Sequence, residues 1–463
     1  MLKRKSRHIG LALILLPLLS WGQISDSVAL PVDSFMSLVE RHHPMAQQAR
    51  LIRQSARAAR LKASGAFDPK LFSEMDNKRF DEKNYYQLQN SGLEIPGWFG
   101  LKAKAGYELN EGIFLNNQNT VPGSGLWYAD VSWTLGRGLF IDERRAMLKQ
   151  ARLLEESAEF EVILAMNELF EKAFEAYWDW YAAYQQLKLY EEALDLAQFR
   201  FNAVKRAAIV GDEPFIDTLE ANIQVQDRAI NLQKSRAEFI HKRNVLATYL
   251  WLEGQIPLDI SAFAYPVYSM ADAQYLLPQD WFANHPQIKV YDLKIDRLNI
   301  ERRLQVEQLK PELTVNYKFL NQPNPNDFFA NYTPDNYNWG LKASFPLFVR
   351  KGRGEVLKQK VKIRETELDL TLKSQEIQNK VQALQNELSL TAAQLSQIRS
   401  MVNNYQRLLR AENIKFRNGE SSLFLVNSRE LKYLESRLKQ IDTETKLNQV
   451  QAKLGSAAGV LFQ

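Results

Sequence analysis

Three histidines and two glycine-containing stretches are the residues whose types and spacing come nearest to supporting chemistry. Glycine loops cradle phosphate where a strand runs into a helix, but GRGLF (136–140) and RKGRGE (350–355) lack the spacing of a dinucleotide fingerprint. His42, His43 and His285 stand at predicted helix starts beside prolines, which indicates a structural role. With no catalytic motif and no cysteine, the sequence predicts a protein that is not an enzyme and binds no cofactor or metal.

The first 22 residues have the pattern of a secretory signal peptide. Four basic residues precede the apolar run LALILLPLLS (11–20), and Ser20 and Gly22 are small residues at the expected cleavage positions. The apolar run is too short to span a bilayer. Its removal lowers the formal net charge from +5 to about +1, so the sequence predicts no nucleic-acid partner.

No later stretch has the length and apolarity of a spanning helix, which requires about eighteen residues. The pattern leaves two possibilities for an exported chain. One is a protein soluble outside the cytoplasm, and the other is a protein inserted in a membrane through β-strands.

The chain contains an internal repeat, which predicts a duplicated architecture. Residues 42–72 resemble 284–314, since each segment opens with His-Pro and closes with a second proline. Residues 128–151 likewise resemble 337–360. We therefore predict three parts: a signal peptide at 1–22, a first repeat at 23–260 with strands about 69–136, and a second repeat at 261–463 with strands about 311–347.

Extended segments in both repeats alternate between apolar and polar residues. The pattern is clear in 101–109, 127–135, 312–320 and 337–347. A period of two over about ten residues is what a tilted membrane-spanning strand requires. A soluble antiparallel sheet with one wet face produces the same pattern. The first repeat also has an insert at 80–126, and the sequence leaves open whether it forms an extra hairpin or an elaborate loop.

Two predicted helices are too long for a compact domain. Residues 141–209 and 353–417 would each extend about 100 Å, and their apolar positions recur at spacings of three and four. Apolar residues at these spacings form a stripe along one side of a helix, and such a stripe packs against other helices. The aromatic cluster YWDWYAAY (177–184) is either a ligand site or part of the core, and ordinary burial preferences favour the core.

The signal peptide, the doubled order of elements, and the segments 132–151 and 415–440 resemble the TolC-like outer-membrane efflux protein family. The resemblance implies a fold that is mainly α with a membrane β-barrel. Duplicated helix–hairpin–long helix units would form a trimeric α-helical tunnel, and each subunit would give four strands to a shared, roughly 12-stranded β-barrel. Four strands cannot seal themselves in lipid alone, so the implied homotrimer removes the open edges.

Each long helix is interrupted by a glycine turn, in KRAAIVGDEPF (205–215) and in KFRNGESSLF (415–424). Gly211 and Gly419 permit the positive φ that helix C-termini prefer, and Ser421 or Ser422 is a candidate cap for the returning helix. The family resemblance implies that these turns form the periplasmic tip and contact an adaptor. The alternative is that the residues only turn the chain. The implied contact residues are Ile209, Val210, Gly211, Pro214, Phe215, Asn418, Gly419, Ser421 and Leu423.

The resemblance also implies a pore constriction near the tip. Asp217 matches a position where family members carry an acidic residue, whereas the matching positions of the second repeat are Leu425 and Ser428. An acidic ring built from the second repeat is therefore not expected. The sequence leaves undecided whether three Asp217 side chains form such a ring.

The leading hypothesis is an outer-membrane exit duct that extends into the periplasm and is gated at its tip. It would belong to a tripartite efflux or type I secretion system. Its partners would be two further copies of itself, a periplasmic adaptor (membrane fusion protein), an inner-membrane pump and outer-membrane lipid. The alternative is a periplasmic coiled-coil scaffold or adaptor without a barrel, which would be soluble in water.

Overall fold

The computed structural model describes residues 29–260, 264–267, 276–322, 324 and 331–462. The predicted signal peptide lies outside these residues, as do parts of the segment that links the two repeats and of the loop at 322–336.

The first part of the chain contains two short helices, a run of strands, and a long and a shorter helix. In order these are β1 (Ala29–Leu30), α1 (Val32–His42), α2 (Pro44–Ser64), β2 (Lys70–Phe80), β3 (Lys83–Pro96), β4 (Leu101–Glu111), β5 (Leu126–Gly136), α3 (Glu143–Val210) and α4 (Phe215–Ala247). Single 3-10 turns occupy Gly65–Phe67 and Asn117–Asn119.

The second part has a similar order, with one short helix instead of two and two long strands instead of four. Its elements are β6 (Trp251–Leu252), β7 (Ile256–Pro257), β8 (Tyr265–Pro266), α5 (Pro286–Glu307), β9 (Glu312–Asn321), β10 (Tyr337–Ser344), α6 (Arg350–Arg417) and α7 (Leu423–Ala457).

The helices α3 and α6 form the long axis of the molecule. Each contains 68 residues, which corresponds to about 100 Å, and this confirms the predicted length. Helix α3 packs along α2, α4, α5 and α7, while α6 packs along α5 and α7. Because each helix is far longer than its own propensity can stabilise, this lateral packing supplies most of its stability.

The main core lies where α3 crosses α1, α2 and α4. Tyr177, Trp178, Trp180 and Tyr181 are buried there, and the Tyr177 hydroxyl donates a hydrogen bond to the carbonyl of Leu30 at 2.7 Å. Burial of such side chains stabilises a fold by about 1.5–3 kcal/mol each. The interpretation of the aromatic cluster as core is confirmed.

Six strands form one antiparallel sheet in the order β10-β9-β5-β4-β3-β2. The four alternating segments lie in β4, β5, β9 and β10, as predicted. The insert contributes a further hairpin, because β3 pairs with β2 on one side and with β4 on the other. Among the described residues the sheet therefore has six strands, where four strands per chain were expected.

The two faces of the sheet differ in chemistry. One face presents large exposed apolar side chains, among them Trp133, Trp339 and Leu341. The opposite face carries charge, with ion pairs between Lys102 and Glu94 at 2.8 Å and between Lys318 and Glu108 at 2.5 Å. Over the described ranges, no helix combines the length and apolarity of a membrane span.

Candidate functional site

The two glycine turns lie together at the end of the helices. Val204 of α3, Ala221 of α4 and Leu423 of α7 share one buried cluster, against which Phe416 of α6 also packs. Four helix ends therefore meet in a single structure, which we call the tip.

Both outgoing helices end in the same backbone motif. Gly211 has a φ of +86° and Gly419 a φ of +74°, in the left-handed region that costs glycine little. Asp212 N–H donates to Ala207 O, and Glu420 N–H donates to Lys415 O, both at 2.9 Å. This is the Schellman arrangement, and the predicted positive φ at both glycines is confirmed.

The returning helices begin differently. In α7 the Ser422 side chain accepts from the Leu425 N–H, so Ser422 is the cap. The Ser421 hydroxyl instead donates to Glu412 at 2.6 Å, and this hydrogen bond is the main cause that lowers the pKa of the Glu412 carboxyl. In α4 the N-cap is Pro214, whose apolar side chain accepts no capping hydrogen bond. Asp217 lies in the first turn of α4, where an acidic group is favoured by the helix dipole.

Most of the predicted contact residues lie on the outside of the tip. Ile209, Val210 and Phe215 are 68%, 71% and 75% exposed, and Gly211, Pro214, Asn418 and Gly419 are also exposed. Ser421 is half-buried. Exposed apolar side chains grouped at one end of a molecule are typical of an interaction site.

Leu423 differs from the others because its side chain is buried in the tip cluster. Its neighbour Phe424 is exposed instead, at 68%, and so is Ile216 of α4. Reasoning from the sequence missed both residues. The signal was present in the helical period, since Leu423 and Val426, three residues apart, face inward and leave Phe424 outside.

The residues predicted to narrow the pore occupy the first turns of α4 and α7. Leu425 is exposed, while Asp217 and Ser428 are half-buried. Asp217 lies close to Glu213, and the pKa of the Glu213 carboxyl is raised by burial first and then by the negative charges of Asp217 and Asp212. The tip of each chain thus concentrates acidic groups in one place.

A buried polar network ties the tip helices together just behind the turns. Glu430 of α7 contacts Arg200 of α3 at 2.5 Å and Arg228 of α4 at 3.8 Å. Asn427 accepts from Arg200 at 3.0 Å and donates to Glu220 at 2.9 Å. Because Glu430 and Arg228 are almost fully buried, separating these helices would leave desolvated charges unpaired.

The histidines singled out by the sequence take structural positions. Nδ1 of His43 accepts from Met45 N–H, and Nδ1 of His285 accepts from Gln287 N–H, both at 3.1 Å. Each ring therefore caps the helix that its neighbouring proline begins. His42 is half-buried at the end of α1.

The fold is similar to that of several solved structures. The chain has the fold of outer membrane channels: it matches the CmeC channel of Campylobacter jejuni with a TM-score of 0.67 at 11% identity, over 93% of this chain and 86% of that chain. It matches VceC of Vibrio cholerae with a TM-score of 0.66 at 13% identity, over 92% and 95%. It matches the open state of the MtrE outer membrane channel of Neisseria gonorrhoeae with a TM-score of 0.67 at 14% identity, over 92% and 88%.

The second repeat is similar in sequence to a known family. Residues 277–460 match the family model of outer membrane efflux proteins, and no curated protein sequence matches the chain. The predicted resemblance to this family is confirmed over those residues. The match is to efflux proteins and not to enzymes, as the sequence predicts.

Proposed function

We propose that three copies of this chain form a passive exit duct across the outer membrane. Each copy contributes its sheet to one closed barrel wall and its long helices to a tunnel that extends into the periplasm. The observation that carries this proposal is a sheet with one apolar face joined to helices of about 100 Å within one chain.

The open edges of the sheet explain why several copies are needed. The strands β2 and β10 each have only one paired side among the described residues. Unpaired backbone groups are not tolerated in the hydrocarbon region of a membrane. Pairing between copies satisfies these groups, and it also continues the apolar face into a closed surface.

The tip is the proposed gate and the proposed docking site of a periplasmic adaptor, within a tripartite efflux or type I secretion system that is energised by an inner-membrane pump. The exposed apolar residues of the tip would contact the adaptor. The acidic side chains of Asp217 from three copies would line the constriction together with Leu425 and Ser428. Docking would spread the helices that the Glu430 network holds together, so the network sets the cost of opening.

A coiled-coil scaffold without a barrel fits the chain less well. A water-soluble scaffold has no use for a sheet face that exposes Trp133, Trp339 and Leu341. The two functions predict different particles, and fractionation of membranes followed by native mass determination separates them. A detergent-requiring particle of three chains supports the duct, whereas a soluble, folded monomer would rule it out.

A further inference from the structure

The additional hairpin of the sheet raises the question of whether it belongs to the membrane wall. The strand β4 already has both edges occupied, since it pairs with β3 over ten residue pairs and with β5 on its other side. A wall built only from β4, β5, β9 and β10 would require β4 to release β3. The observed pairing instead places the free edges of the sheet at β2 and β10.

The directions of the strands permit closure through these two edges. Every neighbouring pair in the sheet is antiparallel. With an even number of strands, β2 and β10 run in opposite directions. When copies stand side by side around a common axis, β2 of one copy therefore meets β10 of the next as an antiparallel partner.

The charges of the hairpin are segregated by face. Apart from Arg79 and Lys83 next to the turn at 81–82, the charged residues of β2 and β3 share one face by the strand period. They are Lys70, Glu74, Asp76, Lys78 and Glu94. This is the face that carries the Lys102–Glu94 ion pair. A hairpin with water on both sides needs no such segregation, whereas a wall with one lipid face does.

The opposite face of the hairpin is apolar or uncharged. It presents Leu71, Ser73, Met75 and Asn77 from β2, and the hydroxyls of Ser73 and Ser91 are 2.8 Å apart and bond to each other. A polar group that is satisfied by a partner costs far less to place in an apolar environment than a free one. This face is therefore compatible with a lipid environment.

The two edges also complement each other in charge. On the charged face, Glu74 and Asp76 of β2 have no ion-pair partner within the described part of the chain, and neither has Lys342 of β10. All three side chains are exposed. Inside the sheet, the same face pairs Lys102 with Glu94 across the neighbouring strands β4 and β3, and Lys318 of β9 with Glu108 of β4 across the intervening strand β5. Pairing of β10 with β2 of the next copy continues that arrangement.

We propose that the hairpin is a full part of the wall, so that three copies close a barrel of eighteen strands by pairing β2 of each copy with β10 of the next. The count follows from six strands per chain and rests on the proposed trimeric duct. Because barrel diameter grows roughly linearly with strand number, the lumen is wider than that of a barrel with four strands per chain.

Disulfide trapping in the full-length protein in its native membrane tests the pairing. The chain has no cysteine, so introduced pairs report on one contact each. The test pairs combine Phe72→Cys, Glu74→Cys or Asp76→Cys in β2 with Asn338→Cys, Gly340→Cys or Lys342→Cys in β10, which samples the register. The matched pairs combine Lys104→Cys in β4 with the same β10 positions. Single-cysteine variants check that assembly is unaffected.

We expect the β2–β10 pairs at one register to give reducible bands of two and three cross-linked chains. We expect the β4–β10 pairs to give no cross-link between chains. Cross-links from β4–β10 alone, in a particle of three chains by native mass, would overturn the eighteen-stranded wall and leave the proposed duct intact. A protein without β2–β10 cross-links that is monomeric and soluble would overturn both.

Discussion

Arg200 near the end of α3 and Glu430 near the start of α7 form a buried ion pair, with Nη2 of Arg200 2.5 Å from Oε2 of Glu430. Arg228 approaches the same carboxylate from α4. The three residues come from three helices and lie just behind the glycine turns. Their contact links the returning helices of the two repeats to a long helix at the point where we propose the duct opens.

Replacement of Glu430 by alanine should therefore strongly destabilise the helical end. It would leave the buried Arg228 guanidinium, which keeps its contact with Asp227 at 2.6 Å, and the largely buried Arg200 guanidinium without the carboxylate that they share. Breaking a buried pair typically costs about 3–5 kcal/mol. Thermal unfolding of the purified particle measures the change. Glu435→Ala is the control, because its pair with Lys432 is exposed and worth about 0.2–1 kcal/mol. Equal small effects of the two substitutions would contradict a role of the network in holding the tip.

Replacement of Gly419 by valine should impair export while leaving assembly of three chains intact. The position has a φ of +74°, which costs a β-branched residue about 1–3 kcal/mol, while a Cβ atom would meet nothing within 4 Å. Export of a reporter substrate and native mass are the two measurements. Gly354→Val is matched in having equally open space but lies within helix α6 without a positive φ. Export that falls to the same extent in both variants would argue against the tip as the gate.

Replacement of Phe215 by serine should weaken binding of the adaptor. The side chain is 75% exposed at the tip, so its removal takes away apolar contact area without disturbing the core, and exposed aromatic anchors commonly cost about 2 kcal/mol or more when lost from an interface. Binding of the purified particle to its adaptor measures the change. Ile113→Ser, in the loop between β4 and β5 and 77% exposed, should bind the adaptor normally. Wild-type affinity in the Phe215 variant would remove that residue from the interface.

Acidification should destabilise the contact between the start of α5 and the end of α7 through His285. Nδ1 accepts from Gln287 N–H, so Nε2 carries the proton and donates to the carbonyl of Ala457 at 3.1 Å. Burial lowers the pKa of His285 from its ordinary value of 6.5. A depressed pKa means that the neutral ring stabilises the fold above pH 6.5 and that this stability is lost as the pH falls through the folded-state value.

The measurement for His285 is thermal stability between pH 7.5 and about 4.5, a range that extends well below the ordinary histidine pKa. His285→Asn keeps a capping acceptor and should flatten part of the pH dependence, since the pKa of the other capping ring, His43, is also lowered by burial. His241→Asn, at an exposed position of α4, is the control. An unchanged pH profile in the His285 variant would exclude this histidine as the titrating group.

Acidic pH should stabilise the tip, in contrast to the destabilisation expected at His285. Burial and the neighbouring carboxylates raise the pKa of Glu213 above its ordinary value of 4.5. A carboxyl with a raised pKa contributes stability that is present below the ordinary value and is lost as the pH rises through the folded-state value. Hydrogen-exchange protection of the amides at 207–217, corrected for intrinsic exchange, should therefore fall as the pH rises above 4.5.

Glu213→Gln removes the titrating group and should make that protection independent of pH over this range. Glu192→Gln, at an exposed position of α3 farther from the tip, should retain the wild-type dependence of protection on pH. If both variants behave like the wild type, the acidic residues of the tip do not control its opening.

Much of this architecture follows from local patterns that need no knowledge of the folded chain. The three- and four-residue spacing predicts α3 and α6, and the two-residue alternation predicts β4, β5, β9 and β10. Gly211 and Gly419 identify the turns because only their backbone preference matters there. These features depend on residues close in sequence, so the sequence is sufficient to find them.

The remaining features were decided by contacts between distant segments. The hairpin of β2 and β3 is hard to recognise alone, because Ser73, Ser91 and Gln89 interrupt the apolar face, and its pairing with β4 identifies it as part of the sheet. Leu423 is buried because Val204 and Ala221 pack against it, which leaves Phe424 outside. Glu430 meets Arg200 and Arg228 only after three helices have come together, since burial and the pairing of charges are properties of the packed structure and not of any one segment.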